Sequence, residues 1–209
     1  MVSGTHAHDE DERNATILVH VNGRLVPREQ AVVSVLDSGF ILGDGVWEGL
    51  RLHRGRIAFL DAHLNRLMEG AKAIDLDIGK TRDELRALVV ETIEANHMVD
   101  GVHIRLMVTR GLKKTPFRGT SANIGGPTIV VIPEYKEPDP ALQETGLRLF
   151  TVHVRRGRPD VQDPMWNSHS KLNCVTACIQ AEKAGADEGL MLDPHGFVAT
   201  CNSTHFFVV

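Results

Sequence analysis

Between residues 60 and 95 two stretches carry the apolar spacing of helices, while almost everything on either side is patterned for strands. In the first stretch Leu64, Leu67, Met68 and Ala71 fall at i, i+3, i+4 and i+7, which makes one apolar face, with Asp61 expected as its cap. The second opens on a capping box, Thr81-Arg82-Asp83-Glu84, and continues with Leu85, Leu88, Val89 and Ile93 as its buried stripe. Before the pair, residues 17–21 and 25–26 flank Asn22-Gly23, the dipeptide that suits a tight hairpin. Residues 47–53 and 56–59 repeat the arrangement around Arg54-Gly55. After the pair, residues 102–109 alternate apolar with longer side chains, and 128–132 form a continuous apolar run. Strands clustered on both sides of a helix pair specify an α+β domain.

Further on the character changes. Pro138 and Pro140, following Pro133, stand among charged residues, so 134–145 is expected to be a linker between domains. A strand is expected at 147–154, an irregular stretch up to Lys171, a helix over 173–184, and a hairpin turning at Asp193-Pro194-His195-Gly196. These readings divide the chain into a disordered arm (1–15, with acidic residues 9–12), a small N-terminal α+β domain (16–133), the linker, and the beginning of a larger domain (146–209). The last residues, Phe206-Phe207-Val208-Val209, are an apolar strand whose neighbours are not in the sequence. The chain is therefore expected to be truncated within its second domain.

Composition removes several kinds of function. Across 209 residues the formal net charge is -4, and the basic residues are scattered rather than gathered in a stripe, so no nucleic-acid partner is expected. No apolar run reaches bilayer length, and the first residues lack the basic and apolar regions of a signal peptide; a cytoplasmic protein without a membrane partner is expected. The three cysteines include no C-x-x-C, and Cys174 and Cys178 share one stripe of a helix, which favours reduced thiols over a disulfide or zinc site. The eleven histidines show no metal-ligand spacing; His6 and His8 lie in the arm, and only His63 and His169 stand out among the rest. No metal is expected.

Spacing by itself is nearly silent about chemistry. There is no G-x-S-x-G and no phosphate-binding glycine loop between a strand and a helix, and Gly43-Asp44-Gly45 reads as a turn. Lys171 is the exception. Its neighbourhood, Trp166-Asn167-Ser168-His169-Ser170-Lys171-Leu172-Asn173, holds few other charges, and a lysine in such surroundings can lose its proton near neutral pH and act as a nucleophilic amine.

Several motifs, taken together and in order, go further. These are Asp37-Ser38-Gly39-Phe40, Gly43-Asp44-Gly45-Val46-Trp47-Glu48-Gly49-Leu50-Arg51, Leu60-Asp61-Ala62-His63-Leu64-Asn65-Arg66-Leu67, residues 103–111, Lys171-Leu172-Asn173, and residues 185–192. From residue 16 onward the chain resembles the class IV aminotransferases, the branched-chain group above all. The resemblance implies a two-domain fold-type IV enzyme, usually a homodimer, with a small α/β N-terminal domain and a larger barrel-like C-terminal domain. It also implies pyridoxal 5'-phosphate at the domain boundary. Lys171 matches the lysine that forms a Schiff base with that cofactor, and Arg66 the arginine that holds its phosphate. Thr200, Cys201, Asn202, Ser203 and Thr204 match the turn beside ring and phosphate. Phe40, Trp47, Arg51, Arg105 and Arg110 match substrate-pocket positions, with Arg105 and Arg110 as candidates for the substrate carboxylate.

The reaction implied is transfer of an amino group from a branched-chain or related aliphatic amino acid to 2-oxoglutarate, so the expected partners are amino acids and 2-oxo acids. Relatives of the D-amino acid, (R)-amine and aminodeoxychorismate lyase types are alternatives, as is a non-catalytic scaffold. The chain departs from the family pattern in two local ways. Thr200 stands where a glutamate commonly pairs with the pyridine nitrogen, and the lysine motif is one residue shorter before Leu-Asn.

Overall fold

A computed structural model describes residues 11–137 and 139–208. The chain divides into two compact units, one of residues 11–136 with 166–170, the other of the described residues in 137–165 and 171–208. Most of the expected arm, with His6 and His8, lies outside the described residues, as do Pro138 and Val209. The chain is already ordered at Asp11, where an arm was expected. Glu12–Thr16 form one short 3-10 turn, and buried Asn14 exchanges hydrogen bonds with the main chain of Tyr135 at 2.7 and 3.0 Å.

The first unit is a six-stranded antiparallel sheet. Its strands are β1 (Leu18–Val21), β2 (Arg24–Pro27), β3 (Gly45–His53), β4 (Arg56–Ile57), β5 (Val102–Thr109) and β6 (Thr128–Tyr135), in the order β2-β1-β6-β5-β3-β4. One face packs against α2 (Leu60–Ala73) and α3 (Arg82–Ala95); the short helix α1 (Ser38–Leu42) precedes β3. The core is aliphatic. Val46, Leu50 and Leu52 of β3 and Ile104, Leu106 and Val108 of β5 meet Leu64, Leu67 and Ala71 of α2 and Leu85, Val89 and Ile93 of α3. Each fully buried Leu or Ile contributes about 1.5–3 kcal/mol relative to exposure.

The helix pair and its boundaries follow the sequence closely, and the Thr81/Glu84 capping box is formed in both directions. Asp61 is not the cap. α2 starts two residues earlier, after Phe59 in a left-handed conformation, and Asp61 pairs with Arg86 of α3 instead. β4 is also shorter than expected, ending at Ile57. β6 runs through Pro133 to Tyr135, beyond the apolar run. Proline is tolerated there because β1 pairs with β6 only at Val130 and Val131. Tyr135, two residues on, gives its N–H to Asn14 on that outer side, so Pro133 removes no ladder bond.

The second unit is smaller. β7 (Leu149–Thr151) runs parallel to β8 (Glu188–Leu192), which pairs antiparallel with β9 (Val198–Cys201). The short helices α4 (Ala141–Thr145) and α5 (Pro159–Gln162) flank β7 in sequence, and α6 (Leu172–Lys183) packs on the sheet. Its core is Val152, Ala177, Ala181, Ala186 and Met191. The strand expected over 147–154 is cut to three residues, all exposed. After Thr151 the pairing becomes irregular: Val152 and Arg156 N–H still donate to Leu190 O and Leu192 O at 3.0 and 2.8 Å, while Gln180 Oε1 accepts the N–H of His153 at 2.8 Å. Among the described residues the three strands close no barrel. No described helix is long and apolar enough to cross a membrane.

Candidate active site

The pleat of β3 sorts its side chains onto two faces. Val46, Glu48, Leu50 and Leu52 turn toward the helices, and Trp47, Gly49 and Arg51 turn away. β5 does the same, so His103, Arg105 and Met107 lie on the face away from the helices. Arg105 stands directly across from Gly49, where no side chain opposes it. Its guanidinium lies over the Trp47 ring at 3.9 Å from the centroid, a cation–π contact, and burial lowers its pKa. Beside it His103 contacts Glu134 at 3.2 Å, and its pKa is also lowered, first by burial and then by the Arg105 charge. Arg51 donates to the carbonyl of Lys136. Trp47, Arg51 and Arg105, expected together in a substrate pocket, thus share one sheet face. Phe40 sits apart on α1 and is largely exposed.

Arg110 does something different from what was expected of it. Nε and Nη2 donate to the Asp44 carboxylate at 2.7 and 3.0 Å, and Nη1 and Nη2 donate to the carbonyls of Asp75 and Ile74 at 2.7 Å each. Those carbonyls end α2, where a cation is favoured by the helix dipole. Four bonds inside the protein make Arg110 a clamp between the Gly43–Gly45 turn and α2. It is not placed to take a substrate carboxylate.

On the helix-facing side, Glu48 occupies a core position and is wholly shielded from solvent. An isolated carboxylate there would cost several kcal/mol. It is answered by two residues one turn apart on α2. Arg66 donates from Nε at 2.7 Å and Nη2 at 2.6 Å, and His63 Nδ1 lies 2.7 Å from Oε2. These hydrogen bonds raise the pKa of Arg66 further. Neither the Glu48 partnership nor the full burial of Lys113, whose Nζ donates to Asn123 Oδ1 at 2.8 Å, was anticipated from the sequence. A signal for the first existed: Val46-x-Glu48-x-Leu50-x-Leu52 puts a charge in an otherwise apolar alternation.

The residues just before Lys171 are strapped to β3. The N–H of Trp47 donates to Asn167 O at 2.8 Å, its indole donates to Ser168 O at 3.1 Å, and His169 N–H donates to Gly45 O at 2.9 Å. The His169 ring contacts Val46 O at 3.1 Å, and burial lowers its pKa. Ser170 donates to Gly43 O at 3.2 Å. A Cβ on Gly45 would come within 2.5 Å of Val108 O, so glycine is required where β3 is hemmed in by β5.

In the second unit Lys171 is half-buried and immediately precedes α6, its carbonyl accepting the N–H of Val175 at 2.9 Å. The 200–204 turn is tied both to itself and to β8. Thr200 Oγ1 donates to Thr204 O at 3.1 Å, Asn202 Oδ1 accepts from Gly189 N–H at 2.5 Å, and Ser203 donates to the buried Glu188 at 2.8 Å. Cys201 is buried, which pushes its thiol pKa up. Lys171 and this turn therefore belong to one unit, and Arg66, Trp47, Arg51, Arg105 and Phe40 to the other.

Comparison with known proteins assigns the family. The profile of amino-transferase class IV matches residues 45–209. The chain belongs to that family. It is 40% identical over 193 residues to a putative branched-chain-amino-acid aminotransferase of Methanocaldococcus jannaschii, covering 91% of this chain and 65% of that protein. It is 39% identical over 196 residues to branched-chain-amino-acid aminotransferase-like protein 2 of Arabidopsis thaliana, covering 94% of this chain and 35% of that protein. The branched-chain aminotransferase of the thermophilic archaeon Thermoproteus uzoniensis, solved with norvaline, superposes with a TM-score of 0.77 at 29% identity, covering 90% of this chain and 63% of that one. The chain thus spans less than two thirds of the length of each.

The donor chemistry suits a phosphorylated pyridine aldehyde at two points. Arg66 spends Nε and Nη2 on Glu48, which leaves Nη1 without a protein partner among the described residues and able to meet a phosphate oxygen. Lys171 supplies a primary amine. At the third point the fit is neutral: Thr200 carries no charge, and its hydroxyl proton goes to Thr204 O.

Proposed function

We propose that this chain serves a pyridoxal-phosphate-dependent aminotransferase, moving the amino group of a branched-chain or related aliphatic amino acid to 2-oxoglutarate. The observation that carries the reading is Arg66, held on one edge and open on the other, in a chain that also offers the half-buried amine of Lys171. When bound, the cofactor supplies an aldehyde that condenses with amines and a ring that draws electrons from the substrate α-carbon.

The protein residues divide the remaining work. Arg66 binds the phosphate. Lys171 would hold the aldehyde through its amine and would carry the substrate α-proton as general base and acid. Arg105, desolvated and stacked on Trp47, takes the substrate carboxylate. Met107, Val130 and Ile132 lie on the same sheet face and suit an aliphatic side chain. With Thr200 in place of a carboxylate, its hydroxyl oxygen could accept a hydrogen bond from a ring nitrogen but form no ion pair, so electron withdrawal would be weaker. The homodimer and cytoplasmic residence expected from the sequence belong to the same proposal; sedimentation velocity checks the first.

Borohydride reduction of the protein incubated with pyridoxal phosphate, followed by peptide mass mapping, should place the cofactor's mass on Lys171. Mass on another lysine, or on none, sinks the assignment. Parallel assays with L-leucine, D-alanine and (R)-phenylethylamine should show transfer from L-leucine; transfer only from either of the others reassigns the substrate.

A further inference from the structure

Glu48 is a carboxylate placed where the sheet calls for an aliphatic residue, and a paired charge at such a site gains little stability over an apolar side chain of similar size. Its value must lie in what it holds. Both of its oxygens are occupied from α2: Oε1 by Arg66 Nε, Oε2 by Arg66 Nη2 and by His63 Nδ1. A two-point grip on the Nε/Nη2 edge fixes the plane of the guanidinium as well as its position. It also determines which edge stays open. The side chain of Arg66 is 44% exposed while that of Glu48 is at 0%, so the grip is anchored on a buried carboxylate and leaves part of the arginine open to solvent.

We infer that Glu48 is a positioning residue for anion capture, with His63 as its second support. It aims Arg66 at the phosphate of the bound ligand and takes up the orienting that a free arginine would have to do on binding. The inference rests on the reading of Arg66 given above. It adds that affinity for the phosphate depends on a residue that never touches it. Ordering a long side chain in advance lowers the entropic cost of binding, so the effect should appear in phosphate-bearing ligands and vanish for the same ligand without phosphate.

The test uses the purified chain and measures Kd for pyridoxal phosphate and for pyridoxal by fluorescence titration. Glu48→Gln should weaken pyridoxal phosphate about tenfold, in the range that supporting partners of a binding group commonly carry, and leave pyridoxal within about twofold. Arg66→Ala separates the two readings. If it leaves pyridoxal phosphate binding unchanged, the phosphate role of Arg66 fails. If it weakens binding while Glu48→Gln does not, only the positioning role fails. Should Glu48→Gln prove unfolded by circular dichroism, Arg66→Lys decides at a half-exposed position. It keeps the charge but cannot make the two-point contact, and is expected to bind pyridoxal phosphate about tenfold more weakly. Wild-type affinity in Arg66→Lys overturns the inference.

Discussion

The two units bury their cores in opposite ways. Residues 11–136 enclose a broad aliphatic layer between a six-stranded sheet and two helices, with Leu50, Leu64, Leu85, Ile104 and Leu106 at or near complete burial. The described residues of 137–165 and 171–208 centre on three alanines, one valine and one methionine. A core of large side chains is weakened when atoms are removed. One of small side chains at close approach is weakened when atoms are added. Both units present candidate site residues, so the chemistry proposed here draws on a densely packed body and a thinly packed one.

The two cores should therefore respond to opposite kinds of substitution. Leu64→Ala should lower stability by about 2–5 kcal/mol, because α2 and the sheet cannot close fully over the space left; urea unfolding measures it, and a loss below about 1 kcal/mol would mean the layer repacks freely. In the second unit the informative change is an enlargement. Ala177 is fully buried beneath Gly189, whose added Cβ would stand 3.0 Å from Ala177 O, so Ala177→Val should cost about 1–3 kcal/mol by overpacking. A neutral or stabilising result in the same assay would show that this unit has room to spare.

Smaller effects are expected away from the two cores. Thr81→Ala removes one half of the capping box that starts α3 and should cost about 0.5–2 kcal/mol, read from the shift in thermal midpoint. The least of the four concerns pH. His20, His103 and His169 all belong to the first unit, and burial is the leading cause that lowers each pKa below 6.5. Their neutral forms are favoured in the folded state, so their contribution is present above about pH 6.5 and is lost as pH falls from there toward the lower folded-state values. The carboxylates with lowered pKa, such as Asp100 and Glu84, act at lower pH, below 3.8 and 4.5 respectively. The urea midpoint should therefore drop between pH 7.5 and 5.5, and an unchanged midpoint would remove the histidine explanation.

What could be read in advance was whatever is local. The capping box, the apolar stripes of α2 and α3, and the Asn22-Gly23 hairpin depend on residues a few positions apart, and all are present as expected. The family motifs nominate Lys171 and Arg66 in the same local way, through the order of their neighbours. Helix starts were less secure: Asp61 had the composition of a cap but was recruited by Arg86, 25 residues away. β7 is shorter than expected because regular pairing ends at Thr151, with Gln180 from another element accepting the His153 N–H just beyond it.

The roles of charged residues were decided only by the tertiary structure. Arg105 and Arg110 look alike in sequence, five residues apart on one strand and its exit. Folding lays the first over Trp47 and binds the second to Asp44 and the end of α2. Glu48 looked like one more polar residue beside Trp47 until the pleat turned it inward and α2 supplied its two partners. Periodicity and capping are properties of neighbours along the chain, so the sequence by itself determines them. Which cation meets which anion depends on elements brought together from 15 to 66 positions apart, and that only the packed molecule decides.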